Sequence, residues 1–316
     1  MFEFVIYRPL GFIIEQIYNL VQNYGWAIII FTIIVKLILL PLNIKSQKAM
    51  KKQQKVQPIL MELQRKYAND KEKLSQETMK VYKENDISMM GGCLPMLIQF
   101  PILIGLYRVI QSPIKYILNV DFNSAEVVEK ATTLFESAKV ALADKIGDLA
   151  SFNVTDIIKN CQMELSNWSR QLGDGEWAMN FNFLGLDLSK KPVESFEAIK
   201  LMIAGKSFEL SVVLLILIPI LAMFTTWLSM WHSQRMNKQV QNAGTAADMT
   251  KSMNMIMPIL TGFFAISLPA GLGIYWIASN IFQLAQQYFL DMYFKNKEDD
   301  FVVRVPEKNR KKGKKH

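Results

Sequence analysis

Five long apolar runs constrain the fold of this chain more than any other feature of its sequence. A helix of about twenty apolar residues matches the hydrocarbon core of a bilayer, whereas a soluble protein spreads its apolar residues at core periodicity. Hydrophobic residues make up 51% of the chain. The sequence therefore predicts an all-α polytopic membrane protein with five transmembrane helices, at residues 24–43, 91–112, 210–231, 253–270 and 271–291.

The last two runs are close together. The sequence SLPAGLG, with Pro269, Gly271 and Gly273, lies between them. Proline and glycine in such a cluster indicate a tight turn. We therefore expect two spans here rather than one very long helix.

The distribution of lysine and arginine predicts the orientation. The segment NIKSQKAMKKQQK after the first run contains five lysines and no acidic residue, and such segments stay in the cytoplasm. The N-terminus is then outside. The loop 232–252 and the tail 292–316 are also basic and fall in the cytoplasm, whereas the acid-rich segment 113–209 becomes extracytoplasmic.

Residues 1–23 predict a short amphipathic helix in the outer membrane interface. Glu3, Arg8 and Glu15 interrupt the apolar stretch, and no small-residue cleavage site follows, so the segment does not resemble a signal peptide. A frayed terminus is the alternative. The apolar positions at helical spacing are Leu10, Ile13, Ile14, Ile17 and Val21.

Residues 44–90 predict a cytoplasmic antiparallel helical hairpin. Apolar residues recur every three or four positions on both sides of the turn sequence ANDKE. We expect Pro58 to kink the first helix or to mark the start of a new one. The seam positions are Val56, Ile59, Leu60, Leu63 and Tyr67 in the first helix, and Leu74, Thr78, Val81 and Tyr82 in the second.

The function of this hairpin has several interpretations. Its excess of lysine suits anionic lipid headgroups or an RNA-bearing partner, and a mere spacer is the third possibility. The tail from Lys308 to Lys315 has the composition of a disordered arm, which suits ribosomal RNA or anionic lipid.

Lys36 lies inside the first apolar run. A cation at the centre of a spanning helix costs roughly 2.5 to 3.5 kcal/mol on insertion scales, and no Asp or Glu lies inside the five apolar runs, the last of which ends at Leu290. One interpretation is snorkelling of the long side chain toward a polar boundary. The other is a hydrated, protein-lined cavity.

Further polar residues occur at membrane depth. Each of them alone is more typical of a hydrogen bond to a neighbouring helix than of a cavity lining. Together with the uncompensated Lys36 they favour the cavity. These candidates are Gln99, Thr225, Thr226, Trp276 and Asn280.

The sequence contains no pattern that indicates a cofactor or metal. Cys93 and Cys161 fall on opposite sides of the membrane and cannot form a disulfide, and they form no metal or redox motif with His232 and His316. No glycine-rich phosphate loop is present, which argues against nucleotide use. The chain is not expected to be an enzyme.

Four methionines lie around the start of the fourth span. Flexible thioethers suit a surface that accepts many partner sequences, and ordinary gap-filling is the alternative. The residues are Met249, Met253, Met255 and Met257.

The order of these features resembles the YidC membrane protein insertase family, which includes the mitochondrial oxidase-assembly insertase and its thylakoid relative. A cation precedes LLPL, the charged hairpin follows, and then come GGCLPMLIQFPILIGLY, FLGLDLSKKP and LPAGLGIYWIASNIFQLAQQ. The resemblance covers nearly the whole chain and is strongest to the Gram-positive form.

The resemblance implies five helices around a hydrophilic groove that opens to the cytoplasm and to lipid. The family's functional cation, usually arginine, corresponds to Lys36. Lysine is a point charge that can lose its proton when desolvated, so it needs a hydrated cavity or a visiting anion. The implied function is that of an insertase and chaperone for nascent membrane proteins.

The resemblance also implies partners and a location. The partners are nascent membrane proteins, membrane lipids, the ribosome, the Sec translocon and components of the signal recognition particle pathway, and the location is the bacterial cell membrane. The rival function is a secondary transporter or channel with Lys36 as its substrate or ion site. Against it, the sequence shows neither the intramembrane carboxylates nor the inverted repeat that are typical of such transporters. A passive assembly scaffold is a third possibility.

Overall fold

The structure is a computed structural model that describes residues 2–88, 94–142, 147–206, 210–236 and 244–295, with side chains except at 94–97, 147–148, 234–236, 244–255 and 294–295. The described residues are mainly helical, in agreement with the predicted all-α membrane class. Within those ranges, the exception is one two-stranded antiparallel sheet, which pairs β1 (Asn182–Phe183) with β2 (Leu186–Asp187).

Helices of three types occur among the described residues. A π-helical turn, Glu3–Tyr7, precedes the first α-helix, and a 3₁₀ turn occupies Gly147–Ser151. The α-helices are α1 Arg8–Val21, α2 Tyr24–Ile38, α3 Leu40–Lys66, α4 Lys71–Glu84, α5 Leu94–Gln111, α6 Pro113–Tyr116, α7 Ala125–Ala141, α8 Val154–Asn160, α9 Gln162–Gln171, α10 Glu194–Ile203, α11 Leu210–Leu214, α12 Leu217–Met236, α13 Gly244–Ser267 and α14 Ala270–Lys295.

The chain divides into two compact units. The first unit comprises Met1–Ile34, Phe100–Met223 and Thr261–Ala278. The second unit comprises Val35–Gln99, Phe224–Leu260 and Ser279–His316.

A helical core fills the part of the first unit that the sequence assigns to the segment 113–209. Phe135 on α7 stacks on Trp168 of α9 with ring centroids 5.7 Å apart. The sequence analysis predicted an extracytoplasmic location for this segment and made no prediction of its internal fold. The buried core residues are Ile114, Ala131, Leu134, Phe135, Ala138, Ile157, Cys161, Leu165, Trp168 and Trp177.

Two buried serines attach the chain after α9 to this core. Ser166 Oγ donates to the Trp177 carbonyl at 2.7 Å and accepts from the Met179 amide at 3.0 Å. Ser169 Oγ accepts from the Trp177 amide at 3.2 Å. Because buried polar groups need partners, these bonds hold Trp177 in the core.

The helix predicted in residues 1–23 is α1. A Cβ at Gly11 would lie 2.8 Å from the Tyr116 carbonyl oxygen, and a Cβ at Gly105 of α5 would lie 2.5 Å from Ile6 Cγ2. These glycines therefore let α1 and its preceding turn pack closely on α5 and α6. Lys115 Nζ also pairs with Glu3 Oε1 at 2.6 Å, and this hydrogen bond lowers the pKa of Glu3.

The two helices α3 and α4 of the second unit pack together along an apolar seam. Val56, Leu60 and Leu63 from α3 are buried with Val81 of α4, and Ile59, Tyr67, Leu74 and Tyr82 pack against them at partial exposure. The connecting turn ends at Asp70, which caps α4 by accepting a hydrogen bond from the Lys73 amide. Helix α3 runs through Pro58, so no new helix begins there.

The predicted first span contains a helix boundary that the sequence analysis did not place. Helix α2 ends at Ile38, and α3 begins at Leu40 with a bend of 57°. Pro41 lies in the first turn of α3, where its missing N–H costs nothing and its fixed φ favours helix initiation.

The third predicted span is also divided. Helices α11 and α12 are separated at residues 215–216, just before Pro219, and the Ile218 amide donates to the Leu215 carbonyl at 3.1 Å. Between α13 and α14 the chain turns after Ser267, where the SLPAGLG turn was predicted.

Length and composition of the described helices identify only some of the five predicted spans. In the described part of the chain, Leu210–Ser233 is long and apolar enough to cross a membrane, and the bent pair of α2 and α3 makes a second candidate if it counts as one span. Ile98–Gln111 and Ile256–Ser267 are shorter apolar helices. The count of five spans stays a prediction.

Candidate functional site

Lys36 lies in the last turn of α2 and is largely buried. The residue is 8% exposed. Its Nζ lies 3.4 Å from Oε1 of Gln99 on α5, which is its hydrogen-bond partner among the residues that the structure describes. Because α2 ends at Ile38, the lysine lies near the negative end of the helix dipole, where a cation is favoured.

Three other candidates form a second polar cluster. Asn280 on α14 donates from Nδ2 to Thr226 Oγ1 at 2.8 Å and approaches Thr225 Oγ1 at 3.2 Å. Both threonines are on α12, so one amide group contacts two hydroxyl groups of a neighbouring helix. Helix-to-helix hydrogen bonding, the alternative considered for each of these residues, is therefore present.

Trp276 lies apart from these contacts. It is half-buried on α14, four residues before Asn280, and it makes no hydrogen bond to the residues that the structure describes. The six candidates thus form one lysine–amide pair, one threonine–asparagine cluster and a tryptophan one helical turn along α14.

Some buried polar side chains in the apolar runs were missed by the sequence analysis. Ser229 is 5% exposed and follows Thr225 by four residues, and Ser279 is 6% exposed beside Asn280. Thr32, fully buried on α2, precedes Lys36 by four residues. Spacing of four residues on a helix places side chains on one face, and this signal was available from the sequence.

An ion cluster at the C-terminal end of α14 was also missed. Lys51 Nζ of α3 lies 3.5 Å from Asp291 Oδ1, and His232 Nε2 of α12 lies 3.9 Å from Asp291 Oδ2. The cluster joins three helices that are far apart in sequence. Its residues lie at or beyond the ends of the predicted spans, so the search inside the apolar runs did not include it.

Helix α12 exposes a ladder of aromatic rings, Phe224, Trp227 and Trp231. The ring centroids of Phe224 and Trp227 are 6.1 Å apart, and those of Trp227 and Trp231 are 6.2 Å apart, both in stacked orientation. The residues are 54%, 49% and 37% exposed. Their spacing of three and four residues makes one continuous apolar face.

Several candidates from the sequence fall outside the described residues. These include Cys93, His316, the basic tail from Lys308 to Lys315, and the side chains of Met249, Met253 and Met255. Met257 is half-buried on α13. Within the described ranges, no group of three or more His, Cys, Asp or Glu residues could hold a metal ion.

Comparison with models of protein families shows to which family this chain belongs. The family model described as "60Kd inner membrane protein" matches residues 16–298. The chain belongs to this family. The match includes all the predicted spans and confirms the resemblance to the YidC insertases that the sequence motifs indicated. The YidC homologues are bacterial inner membrane proteins, and a multi-pass membrane location fits this chain.

Individual relatives agree with the family match. The chain is 29% identical to the membrane protein insertase YidC of Caldanaerobacter subterraneus subsp. tengcongensis over 88% of its own length and 90% of the relative's. Identity to the protein of the same name from Clostridium perfringens is also 29%, over 92% of this chain and 88% of the relative. The chain is 54% identical to the protein of the same name from Syntrophus aciditrophicus over 32% of its own length and 18% of that relative's.

Proposed function

We propose that this chain is a membrane protein insertase, which inserts nascent integral membrane proteins and assists their folding. The observation that carries the proposal is the family match over residues 16–298, which includes Lys36 and every predicted span. The relatives over nearly the full length have the name membrane protein insertase. No bond is made or broken in this function, so the chain acts without enzymatic chemistry or a cofactor.

Lys36 supplies the electrostatic part of the proposed mechanism. An ammonium group has three donors, and Gln99 offers one acceptor among the described residues. In the proposal, water in a groove open to the cytoplasm and to lipid hydrates the remaining donors. The acidic tail or hairpin of a substrate then enters the groove and replaces part of this water, because opposite charges attract more strongly at a protein-lined site than in bulk water.

The threonine–asparagine cluster lines the same groove in the proposal. Thr225, Thr226 and Asn280 bond one another, and this fixes the direction of their polar groups. We propose that Trp276, one turn earlier on α14, contributes an indole N–H to the lining. Fixed polar groups lower the cost of bringing a hydrophilic stretch into the membrane, since an unpaired polar group in hydrocarbon costs several kcal/mol.

The aromatic ladder of α12 supplies the apolar part. Phe224, Trp227 and Trp231 present a continuous exposed face, along which the hydrophobic segment of a substrate slides while its polar stretch occupies the groove. The segment then partitions into lipid, where about twenty apolar residues are favoured. This step needs no nucleotide.

The proposed topology places the helical hairpin and the tail in the cytoplasm and the N-terminus outside. The basic hairpin at 44–90 and the basic tail at 292–316 then face the side on which proteins are made. Their charge suits the ribosome and anionic lipid headgroups. The Sec translocon and the signal recognition particle pathway are the further proposed partners.

The test is rescue of cells depleted of their native insertase by variants at Lys36. We expect Lys36→Arg to restore insertion of small single-span substrates with acidic translocated tails, because the charge is kept. Lys36→Glu should fail, because it repels such tails. Insertion is measured by protease protection of the translocated tail.

The matched control is Lys159→Glu, which makes the same change of charge at an exposed lysine of α8, in a segment that the proposed mechanism does not use. This variant should rescue. Equal rescue by Lys36→Arg and Lys36→Glu would contradict the electrostatic mechanism. A silent Lys36→Ala would favour the passive scaffold, which needs no cation.

A further inference from the structure

The tip of the β-hairpin breaks a rule of turn chemistry. The loop between β1 and β2 consists of Leu184 and Gly185, with φ values of 51° and 82°. Positive φ at both positions is the pattern of a type I′ turn, which favours Asn, Asp or Gly because the Cβ of other residues crowds the backbone. Leu184 nevertheless occupies the first position and is 82% exposed. An unfavourable turn residue that is not compensated by contacts within the protein indicates a contact outside the protein.

Hydrogen bonds fix this hairpin to the beginnings of two predicted spans. The Tyr24 amide at the start of α2 donates to the Asn180 carbonyl at 3.0 Å, and the Gly271 amide in the first turn of α14 donates to the Leu188 carbonyl at 3.1 Å. Gly25 packs directly against the Phe183 ring. The hairpin therefore lies at the level where α2 and α14 begin.

The surroundings of the tip have the chemistry of a membrane interface. Trp26 packs edge-to-face on Phe183 with centroids 5.5 Å apart and is 50% exposed. Tryptophan is enriched at the boundary between headgroups and hydrocarbon. The segment from Asn180 to Leu186 contains no charged residue, so burying its tip in lipid requires no desolvation of a charge.

We infer that Leu184 inserts into the outer leaflet of the bilayer and anchors the hairpin at the edge of the hydrocarbon, with Trp26 at the headgroup level. The inference rests on the proposed topology, in which the beginnings of α2 and α14 face outward. Lipid contact offsets the unfavourable turn conformation of the leucine. The anchor holds the outer ends of α2 and α14 at a constant depth.

Fluorescence quenching in nanodiscs of phosphatidylethanolamine and phosphatidylglycerol tests the depth of the tip. The full chain with Cys93→Ser and Cys161→Ala carries either Leu184→Cys or Val140→Cys, labelled with an environment-sensitive fluorophore. Val140 is the matched control because it is an apolar residue of the same segment that is 84% exposed on the charged helix α7.

The label at Leu184 should emit at shorter wavelength, should be quenched by lipids that carry a nitroxide near the top of the acyl chain, and should lose quenching by aqueous iodide. The label at Val140 should show the reverse. Equal iodide quenching at both positions overturns the inference. A label at Leu184 that neither quencher reaches also overturns it, because a second copy of the chain would then cover the tip.

A second variant separates lipid contact from a role in the turn. Leu184→Asn has the residue that a type I′ turn prefers, so it keeps the hairpin and removes the apolar contact. In the same nanodiscs, the amides of residues 184 and 185 should exchange hydrogen faster than in the parent chain. Unchanged or slower exchange would overturn the inference. Neither readout depends on insertion activity, so failure here and failure of the Lys36 rescue are distinguishable.

Discussion

The cost of an intramembrane cation depends on the backbone that surrounds it. Lys36 lies in the last turn of α2, two residues before the helix ends at Ile38. The dipole at a helix terminus contributes typically 0.3 to 1 kcal/mol, whereas the insertion cost of the cation is roughly 2.5 to 3.5 kcal/mol. The dipole alone is therefore too weak, and the proposed mechanism needs hydration of the ammonium group as well.

Gly25 and Gly105 allow a paired prediction about the substitution of single residues. A Cβ at Gly25 would lie 2.7 Å from Phe183 Cβ, close to the backbone of the hairpin, and would also meet the ring. A Cβ at Gly105 would meet side-chain atoms and no backbone atom, with the branch methyl of Ile6 at 2.5 Å and the end of the Leu10 side chain at 2.7 Å. We expect Gly25→Ala to destabilise the protein by about 1 to 3 kcal/mol, as overpacking does.

Gly105→Ala should destabilise the protein less than Gly25→Ala, because the neighbouring side chains can move and alanine favours a helix over glycine by about 1 kcal/mol. The midpoint of thermal unfolding in detergent micelles, followed by near-UV circular dichroism, measures both variants. Equal shifts for the two would contradict the distinction between a fixed and a flexible neighbour.

Cys161 should be unreactive in the folded protein. Burial raises the pKa of its thiol to about 11, and the nearby Glu164 and Asp156 carboxylates add to this effect. The thiolate is the reactive form, so at neutral pH alkylation by a maleimide should be slow in the folded chain and fast after denaturation. The experiment uses a Cys93→Ser variant and follows the mass increase with time.

An added Val140→Cys, which is exposed, is the control for Cys161 and should react rapidly in both states. The sign of the pH dependence also follows from the raised pKa. Below the pKa, the reactive fraction at Cys161 rises about tenfold per pH unit. Equal rates for Cys161 in the folded and denatured chain would be inconsistent with its burial.

At the scale of helices, the sequence predicted which segments are helical better than where the helices break. Helices start or break near Pro41 and Pro219, but α3 and α5 run through Pro58 and Pro101. A proline costs about 3 kcal/mol in a helix interior, and packing of the whole helix can offset that amount. Local sequence therefore indicates a possible break, whereas tertiary contacts decide whether it occurs.

The beginning of α4 depends on one side chain. Asp70 Oδ1 accepts a hydrogen bond from the Lys73 amide at 3.0 Å and satisfies one of the unpaired donors of the first turn. Asp70→Ala should lower the stability of α4 by about 0.5 to 2 kcal/mol, as the loss of such a cap does. Faster hydrogen exchange of the first-turn amides, measured by mass spectrometry, should report the loss.

Asp70→Asn is the matched control for the cap, because asparagine also accepts a hydrogen bond from a first-turn amide. It should exchange like the parent chain. If Asp70→Asn and Asp70→Ala accelerated exchange equally, the charge of Asp70 rather than its hydrogen bond would stabilise the helix.

For the whole molecule, apolar patterning carried most of the information. It predicted a helical membrane protein and the seam between α3 and α4, because both depend on local periodicity. It could not predict that Asn280 bonds Thr225 and Thr226, or that Lys51 pairs with Asp291, because these partners are far apart in sequence and only tertiary packing brings them together. The internal fold of the segment 113–209 could not be predicted for the same reason, because its core also depends on tertiary packing.

The orientation of the chain is the prediction that belongs to the molecule as a whole. The five lysines of NIKSQKAMKKQQK should keep position 48 in the cytoplasm, whereas the acid-rich segment 113–209 should be outside. One predicted span, 91–112, lies between these segments. We therefore expect Lys48→Cys, in a chain with Cys93→Ser and Cys161→Ala, to react with a membrane-impermeant maleimide only in inside-out vesicles.

Val140→Cys in the same background should react only on intact cells, which makes each variant the control for the other. Reaction of position 48 from outside would reverse the orientation and place the basic hairpin away from the ribosome. Reaction of both positions from one side would require an even number of crossings between them, which a single span at 91–112 does not allow. The pair of variants thus tests the charge rule and the crossing between positions 48 and 140, independently of insertion activity.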